Sequence, residues 1–179
     1  PWSERKLTEE DLRQMFYAGL LHDIGKIAVP EDVLNKRNRL SDSTMNAIYY
    51  RLSFLEESNQ LDDALELYSR IESINASGFL EEDDEAFLED LQEKRYRGPD
   101  GEEVRVLTDE EHQNLSVKRG NLTDQERGVM QSHAEVTFDI LSEIDWTSEL
   151  NDVPRLAASH HERLDGSGYP WGKTREDLS

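Results

Sequence analysis

Residues 160–170 read HHERLDGSGYP, and this stretch joins the end of a predicted helix to a tight turn. Pro154 is a residue typical of a helix's first turn, and the apolar residues after it lead directly to His160 and His161. The segment 165–170 is too rich in glycine to remain helical, and it ends in proline. The pattern therefore places two adjacent imidazole groups at the end of a helix, beside a turn.

A further histidine lies at the end of another predicted helix. Residues 8–11 read TEED, a capping-box pattern in which side-chain oxygens accept hydrogen bonds from free helix N–H groups. Gly25 marks the end of the helix, so we expect His22 and Asp23 in its last turn. Apolar residues recur along it at helical spacing, at Leu12, Met15, Phe16, Leu20 and Ile24.

A third predicted helix carries one more histidine. It begins at residues 123–126, which read TDQE and form another capping box. Its apolar stripe consists of Val129, Val136, Ile140 and Ile144. His133 falls within this stripe, so we expect it to face inward.

Together these helices bring His22 with Asp23, His133, and His160 with His161 toward the inner side of the fold. A single inward histidine is more often a hydrogen-bonded core residue than a metal ligand. The set is hard to explain by packing, because every member needs a polar partner. Imidazole and carboxylate ligands suit iron, manganese, zinc or nickel, and one carboxylate can bridge two ions. The sequence therefore predicts a metal centre.

Composition narrows the functional classes. The chain of 179 residues contains no cysteine, so any metal must be held by histidine and carboxylate. Its formal charge of −20 argues against binding to DNA, RNA or acidic lipid, which relies on clustered Lys and Arg. Bound cations would still let an acidic pocket accept an anion. No apolar run reaches the roughly 20 residues of a membrane-spanning helix, and we expect a cytoplasmic protein.

The motifs resemble those of HD-GYP domains, within the HD phosphohydrolase superfamily. Residues 22–26, HDIGK, with the IAVP and LNK segments that follow them, look like the opening motif of that family. Residues 160–170 resemble its second signature, residue for residue. The resemblance implies an all-α fold, an HD-domain helical bundle whose first part is residues 1–42 and whose second part is residues 116–179.

Residues 43–115 are expected to form a helical excursion inserted between these two parts. Residues 36–42, KRNRLSD, are echoed by residues 118–124, KRGNLTD, so the excursion should enter and leave at neighbouring points. A capping box at residues 108–111 and a short hairpin around Val104 are also predicted. Amphipathic helices within it could support a homodimer. Their apolar faces consist of Leu61, Ala64, Leu65, Tyr68 and Ile71, and of Phe87, Leu88 and Leu91.

The resemblance also implies roles for the predicted ligands. It implies a centre of two or three divalent ions, iron or manganese, in which Asp23 bridges two ions and His22 binds one of them. His133, His160 and His161 would bind another. The family places a further histidine before the His-Asp pair and a further aspartate after the Gly-Tyr-Pro turn. This chain begins and ends inside those limits, so one metal site is expected to be incomplete here.

Two further groups are expected near the substrate. The resemblance implies that Lys26 contacts a substrate phosphate, although a solvated lysine that neutralises the C-terminal dipole of a helix explains it equally well. Asp165 and the turn formed by Gly168, Tyr169 and Pro170 should shape the loop beside the pocket. They also fit a simple tight turn, since Gly and Pro set backbone geometry first.

The function implied by the resemblance is hydrolysis of cyclic di-GMP to linear pGpG, and onward to GMP, by metal-activated water. A hydrolase of another cyclic dinucleotide would use the same chemistry. A different class of protein also remains open, namely a catalytically silent receptor or docking module that binds a signalling protein at the Gly-Tyr-Pro surface. The intact ligand set favours the enzyme.

Overall fold

The computed structural model describes residues 6–177, which form two compact units. Within the described range, unit 1 consists of residues 6–34 and 125–177, and unit 2 is Asn35–Asp124. The predicted excursion, residues 43–115, lies inside unit 2, whose limits are wider at both ends. That this segment is an insertion into an HD domain remains a proposal. The predicted parts 1–42 and 116–179 extend beyond the described residues at the two termini.

The described part of the chain is mainly helical, as expected. In chain order the α-helices are α1 (Glu9–Leu21), α2 (Glu31–Leu34), α3 (Asp42–Glu57), α4 (Ala64–Ala76), α5 (Glu82–Glu93), α6 (Asp109–Leu115), α7 (Asp124–Gln131), α8 (His133–Ser142) and α9 (Val153–Ala158). Short 3₁₀ helices occupy Ile24–Ala28, Ser148–Leu150 and Ser159–His161. None of the described helices is long and apolar enough to span a membrane.

Helix α1 begins at the predicted capping box. The Thr8 hydroxyl accepts a hydrogen bond from the Asp11 amide at 3.1 Å, and the Asp11 carboxylate accepts one from the Thr8 amide at 2.8 Å. The predicted end was wrong by about half a turn. The α-helix stops at Leu21, His22 caps it, and Asp23 precedes the 3₁₀ helix Ile24–Ala28. His22 and Asp23 therefore lie in a turn between two helices.

The apolar stripe predicted on α1 is not its buried face. Exposure reaches 54% for Leu12 and 64% for Leu20. The buried residues of α1 are Gln14 and Ala18, and Ala18 packs in a small core cluster around Leu141. Spacing alone therefore identified a helix but not the side of it that packs.

The third predicted helix is divided in two at Ser132, giving α7 and α8. In the predicted stripe, Val136 and Ile140 are half-buried, whereas Ile144 lies beyond the end of α8 and is 47% exposed. The buried residues of α8 are His133, Ala134, Thr137 and Leu141. His133 does face inward, with 2% of its surface exposed. Helix α9 matches its prediction, with Pro154 in the first turn and a 3₁₀ turn carrying His160 and His161 after it.

Unit 2 has its own apolar core, to which α3, α4, α5 and α6 contribute. The predicted faces of α4 and α5 are partly right, since Ile71 and Leu88 are fully buried whereas Leu65 is 73% exposed. The predicted hairpin consists of β1 (Tyr96–Arg97) and β2 (Glu103–Val104), which pair antiparallel. The capping box that starts α6 is present. His112 on α6 is half-buried, with its Nε2 3.4 Å from the Ser116 hydroxyl oxygen.

A buried arginine joins the two ends of unit 2. The Arg39 side chain has no exposed surface, and its guanidinium donates hydrogen bonds to the carbonyl oxygens of Ile74, Ser77 and Val117. The Asn121 side chain also donates to the carbonyl of Lys36. These bonds place residues 36–39 beside residues 117–121, which agrees with the neighbouring entry and exit expected from the echo.

Replacing Arg39 with methionine should lower the free energy of unfolding by at least about 2 kcal/mol, because buried carbonyl groups lose their donors. Arg37 is exposed, so Arg37→Met is the matched control and should change the free energy of unfolding by less than about 0.5 kcal/mol. Urea denaturation followed by circular dichroism measures the free energy of unfolding of each variant. Equal midpoints for the two variants would contradict a stabilising role for Arg39.

Candidate metal centre

Three of the predicted ligands are held by the backbone in the same way. The Nδ1 atoms of His22, His133 and His160 lie 2.7, 2.6 and 2.7 Å from the carbonyl oxygen three residues earlier in the chain. A carbonyl oxygen can only accept, so each Nδ1 carries the proton and donates it. The neutral ring then has its lone pair on Nε2, the arrangement found in metal-binding histidines.

The Nε2 atoms converge with the carboxylate of Asp23. His133 Nε2 lies 3.3 Å from His160 Nε2, and these atoms lie 3.5 and 3.8 Å from Asp23 Oδ1. His22 Nε2 is 3.2 Å from the other carboxylate oxygen. Two lone pairs that face each other cannot hydrogen-bond, whereas a cation placed between them would satisfy both. The donor set therefore fits a metal ion.

The ligand atoms form two overlapping groups. One group is His133, His160 and His161, and the other is His22, Asp23 and His160. Within each group the potential ligand atoms lie within 4.8 Å of one another. His160 belongs to both groups, and Asp23 approaches His133 in the first group as well as His22 in its own. All five predicted metal ligands are thus brought together, and each group could hold an ion.

The surroundings of His161, His160 and Asp23 lower the pKa of each group. Burial, reinforced by the neighbouring imidazoles of His160 and His133, lowers the pKa of His161 to about 4. Burial is also the main reason why the pKa of His160 is lowered. For Asp23, burial alone would raise the pKa, but the hydrogen bond from Lys26 and nearby imidazoles outweigh it, and the pKa is lowered.

Lys26 contacts the carboxylate of Asp23. Its Nζ donates a hydrogen bond to Asp23 Oδ2 at 2.7 Å, and its side chain remains 39% exposed. The lysine is therefore neither buried nor directed away from the cluster. It places a positive charge beside Asp23, on the more exposed side of the ligand set.

The Gly-Tyr-Pro turn packs directly on the histidine pair. A Cβ at Gly168 would lie 2.6 Å from the carbonyl oxygen of His161, so this approach requires glycine. The Tyr169 ring stacks on His161, with centroids 4.5 Å apart and planes inclined by 27°. Burial, then the negative charge of Asp23, raises the pKa of Tyr169. Pro170 follows a cis peptide bond.

Asp165 has a local role in the loop. Its Oδ1 accepts hydrogen bonds from the amide and hydroxyl of Ser167, at 2.9 and 2.6 Å, and these lower its pKa. Asp165 belongs to neither group of potential metal ligands. This placement agrees with the tight-turn explanation of the residue.

Glu162 is a structural residue of the site that the sequence analysis missed. Its two carboxylate oxygens accept hydrogen bonds from the amides of Trp171 and Lys173, at 2.8 and 2.7 Å. The bonds close the loop that carries Tyr169. The available signal in the sequence was a carboxylate directly after the histidine pair. Its position did not indicate that its partners would be the backbone amides nine and eleven residues later.

Comparison with known proteins agrees with the resemblance. Residues 110–179 match the family described as HD domain. The match includes His133, His160 and His161 but not the His22-Asp23 motif. Residues 110–179 are therefore similar to the HD domain family, as the motifs led us to expect. No solved structure matches the chain at a significant level.

Curated relatives match a short part of the chain. A 3'3'-cGAMP-specific phosphodiesterase of Vibrio cholerae is 39% identical over 62 residues, which is 35% of this chain and 13% of that protein. A cyclic di-GMP phosphodiesterase of Pseudomonas aeruginosa is 39% identical over 62 residues, which is 35% of this chain and 14% of that protein. A cyclic di-GMP phosphodiesterase of Thermotoga maritima is 44% identical over 63 residues, which is 35% of this chain and 17% of that protein. The matched segment is thus a small fraction of each relative.

The depressed pKa of His161 predicts a pH dependence of stability in the metal-free protein. An unfolded histidine binds a proton near pH 6.5, whereas folded His161 binds one only near pH 4. The unfolded chain therefore binds more protons in this window, and the free energy of unfolding should fall as pH decreases from 6.5 to 4.

His161→Gln removes this contribution, so its stability should decrease less over the same pH range. Urea denaturation of both proteins with a chelator, at several pH values between 7 and 4, measures the difference. Parallel curves for the two proteins would show that His161 is not held neutral by the fold.

Proposed function

We propose that this chain carries the catalytic centre of a metal-dependent phosphodiesterase that hydrolyses cyclic dinucleotides. The observation that carries the proposal is the convergence of imidazole Nε2 lone pairs with the carboxylate of Asp23. Such a donor set suits divalent ions that act on phosphate esters. The HD domain match and the names of the curated relatives support the same reaction class.

The residues divide between two tasks. His133, His160 and His161 would hold one divalent ion, and His22 with Asp23 would hold a second that shares the Asp23 carboxylate. We propose iron or manganese for these ions, two or three in number. When bound, divalent ions supply Lewis-acid activation of water and neutralise the phosphodiester.

The remaining side chains act on the substrate and on the ligands. We propose that Lys26 exchanges part of its contact with Asp23 for a phosphate oxygen of the substrate, since its ammonium group is on the more exposed side of the ligand set. Tyr169 covers His161 and limits the access of water to that ring. Asp165, Gly168 and Pro170 maintain the loop that presents Tyr169.

Cyclic di-GMP is the substrate that we propose first, with linear pGpG and then GMP as products. Its support is the names of the relatives from Pseudomonas aeruginosa and Thermotoga maritima. A second candidate is a mixed cyclic dinucleotide, because the Vibrio cholerae relative is named for 3'3'-cGAMP. Both substrates have two phosphodiester bonds in a ring, so the metal-binding residues would serve either.

Replacing Asp23 with alanine should reduce hydrolysis of cyclic di-GMP at least about 1000-fold, because the carboxylate that lies beside His22, His133 and His160 is lost. Asp139, an exposed carboxylate on α8, provides the control, and Asp139→Ala should retain activity. The assay follows nucleotide products by chromatography with Mn²⁺ or Fe²⁺ and the whole protein.

Three outcomes would contradict parts of this proposal. Wild-type hydrolysis of 3'3'-cGAMP alone would assign the second candidate substrate. Nucleotide binding without turnover would identify a receptor. Equal activities of the Asp23 and Asp139 variants would remove Asp23 from the catalytic centre.

A further inference from the structure

One buried hydroxyl links two of the elements that carry the candidate ligands. Thr137 lies on α8, one turn after His133, and has no exposed surface. Its Oγ1 donates a hydrogen bond to the carbonyl oxygen of His22 at 3.0 Å. The same oxygen accepts a hydrogen bond from the amide of Gly25, also at 3.0 Å.

The two bonded backbone groups lie on either side of Asp23. Helix α1 has ended at Leu21, so the carbonyl of His22 and the amide of Gly25 lie beyond its hydrogen-bond ladder. Thr137 provides a partner for both groups in a buried environment, where an unpaired polar group is costly. A single side chain thus fixes the backbone before and after Asp23.

Close contact makes these bonds possible. A Cβ at Gly25 would lie 2.6 Å from the Thr137 amide nitrogen and 2.8 Å from Thr137 Oγ1, and it would also collide with the carbonyl oxygen of His133. Real Cβ atoms essentially never come within 3.0 Å of such atoms. The turn therefore rests against α8 with no side chain between them, and the Thr137 hydroxyl sets their register.

We infer that Thr137 is a positioning residue of the metal centre, which holds the His22-Asp23 turn at the distance from His133 that lets both ligand groups form. The inference rests on the proposed metal-binding function. Thr137 does not touch the metal or the substrate in this account. It acts through the backbone of the turn, as outer-shell hydrogen bonds do at other metal centres.

The test compares variants that separate the hydroxyl from the shape of the side chain. Thr137→Val keeps the shape and removes both hydrogen bonds, whereas Thr137→Ser keeps the hydroxyl and removes the methyl group. Mn²⁺ affinity is measured by calorimetry on the whole protein, under conditions where circular dichroism shows each variant to be folded. Thr137→Val should weaken Mn²⁺ binding about 10- to 100-fold, and Thr137→Ser by less than about threefold.

A further variant separates positioning from stability. Leu141→Ala creates a cavity on the same helix, in the small core cluster, and should destabilise the protein without moving the turn. Its Mn²⁺ affinity should stay within about threefold of the wild-type value. If Thr137→Val does not fold, Thr137→Cys replaces it, since a thiol is a weak hydrogen-bonding group of similar size, and weakened binding is again expected.

The outcomes distinguish this inference from the proposed function. Unchanged Mn²⁺ affinity in Thr137→Val, or equal losses in the valine and serine variants, would overturn the positioning role alone. Wild-type protein that binds Mn²⁺ but cleaves no cyclic dinucleotide would overturn the proposed function and leave the positioning role standing. Wild-type protein that binds no Mn²⁺ would overturn both.

Discussion

The candidate metal centre in unit 1 depends on the hydrogen bonds that three histidines make through Nδ1 to carbonyl oxygens three residues earlier. These bonds fix the tautomer of each ring and direct a lone pair from each Nε2 toward the Asp23 carboxylate. An apolar core would gain nothing from this arrangement, because His133 and His160 turn acceptor atoms toward each other. A cation converts the same arrangement into a favourable one, so metal binding explains the donor geometry better than packing does.

Two glycines allow the ligand-bearing segments to come together. Gly25 brings the His22-Asp23 turn against α8, and Gly168 brings the Tyr169 loop against the backbone of His161. At both positions a Cβ would overlap backbone atoms, which cannot move aside as the end of a flexible side chain can. The motif glycines therefore serve packing, and the chemistry belongs to the side chains next to them.

Much of the candidate site was predictable from sequence because its members lie at helix ends, which capping boxes, proline and glycine mark clearly. Those signals placed the His160-His161 pair correctly at the end of its helix, and the apolar stripe correctly predicted that His133 faces inward. The packing faces were less predictable. Periodicity in α1 selected Leu12 and Leu20, but the helix packs through the small Ala18, since periodicity records spacing and not the partner surface.

Long-range polar contacts were also beyond prediction. Arg39 looks like one of several surface arginines in the sequence, yet it is fully buried against backbone carbonyls far along the chain. Glu162 and Thr137 are similar cases, because their partners are backbone groups rather than side chains with a recognisable chemistry. A sequence pattern shows which side chains are present, but not which backbone groups the fold leaves for them to satisfy.

The most direct measurement of the central claim is X-ray absorption at the manganese edge on protein loaded with Mn²⁺. Nitrogen and oxygen ligands are expected in the first coordination shell, together with the outer-shell scattering of several imidazole rings. The His133→Ala variant should lose part of that imidazole signal. A spectrum of oxygen ligands alone, without imidazole scattering, would show that the histidine cluster does not bind the metal.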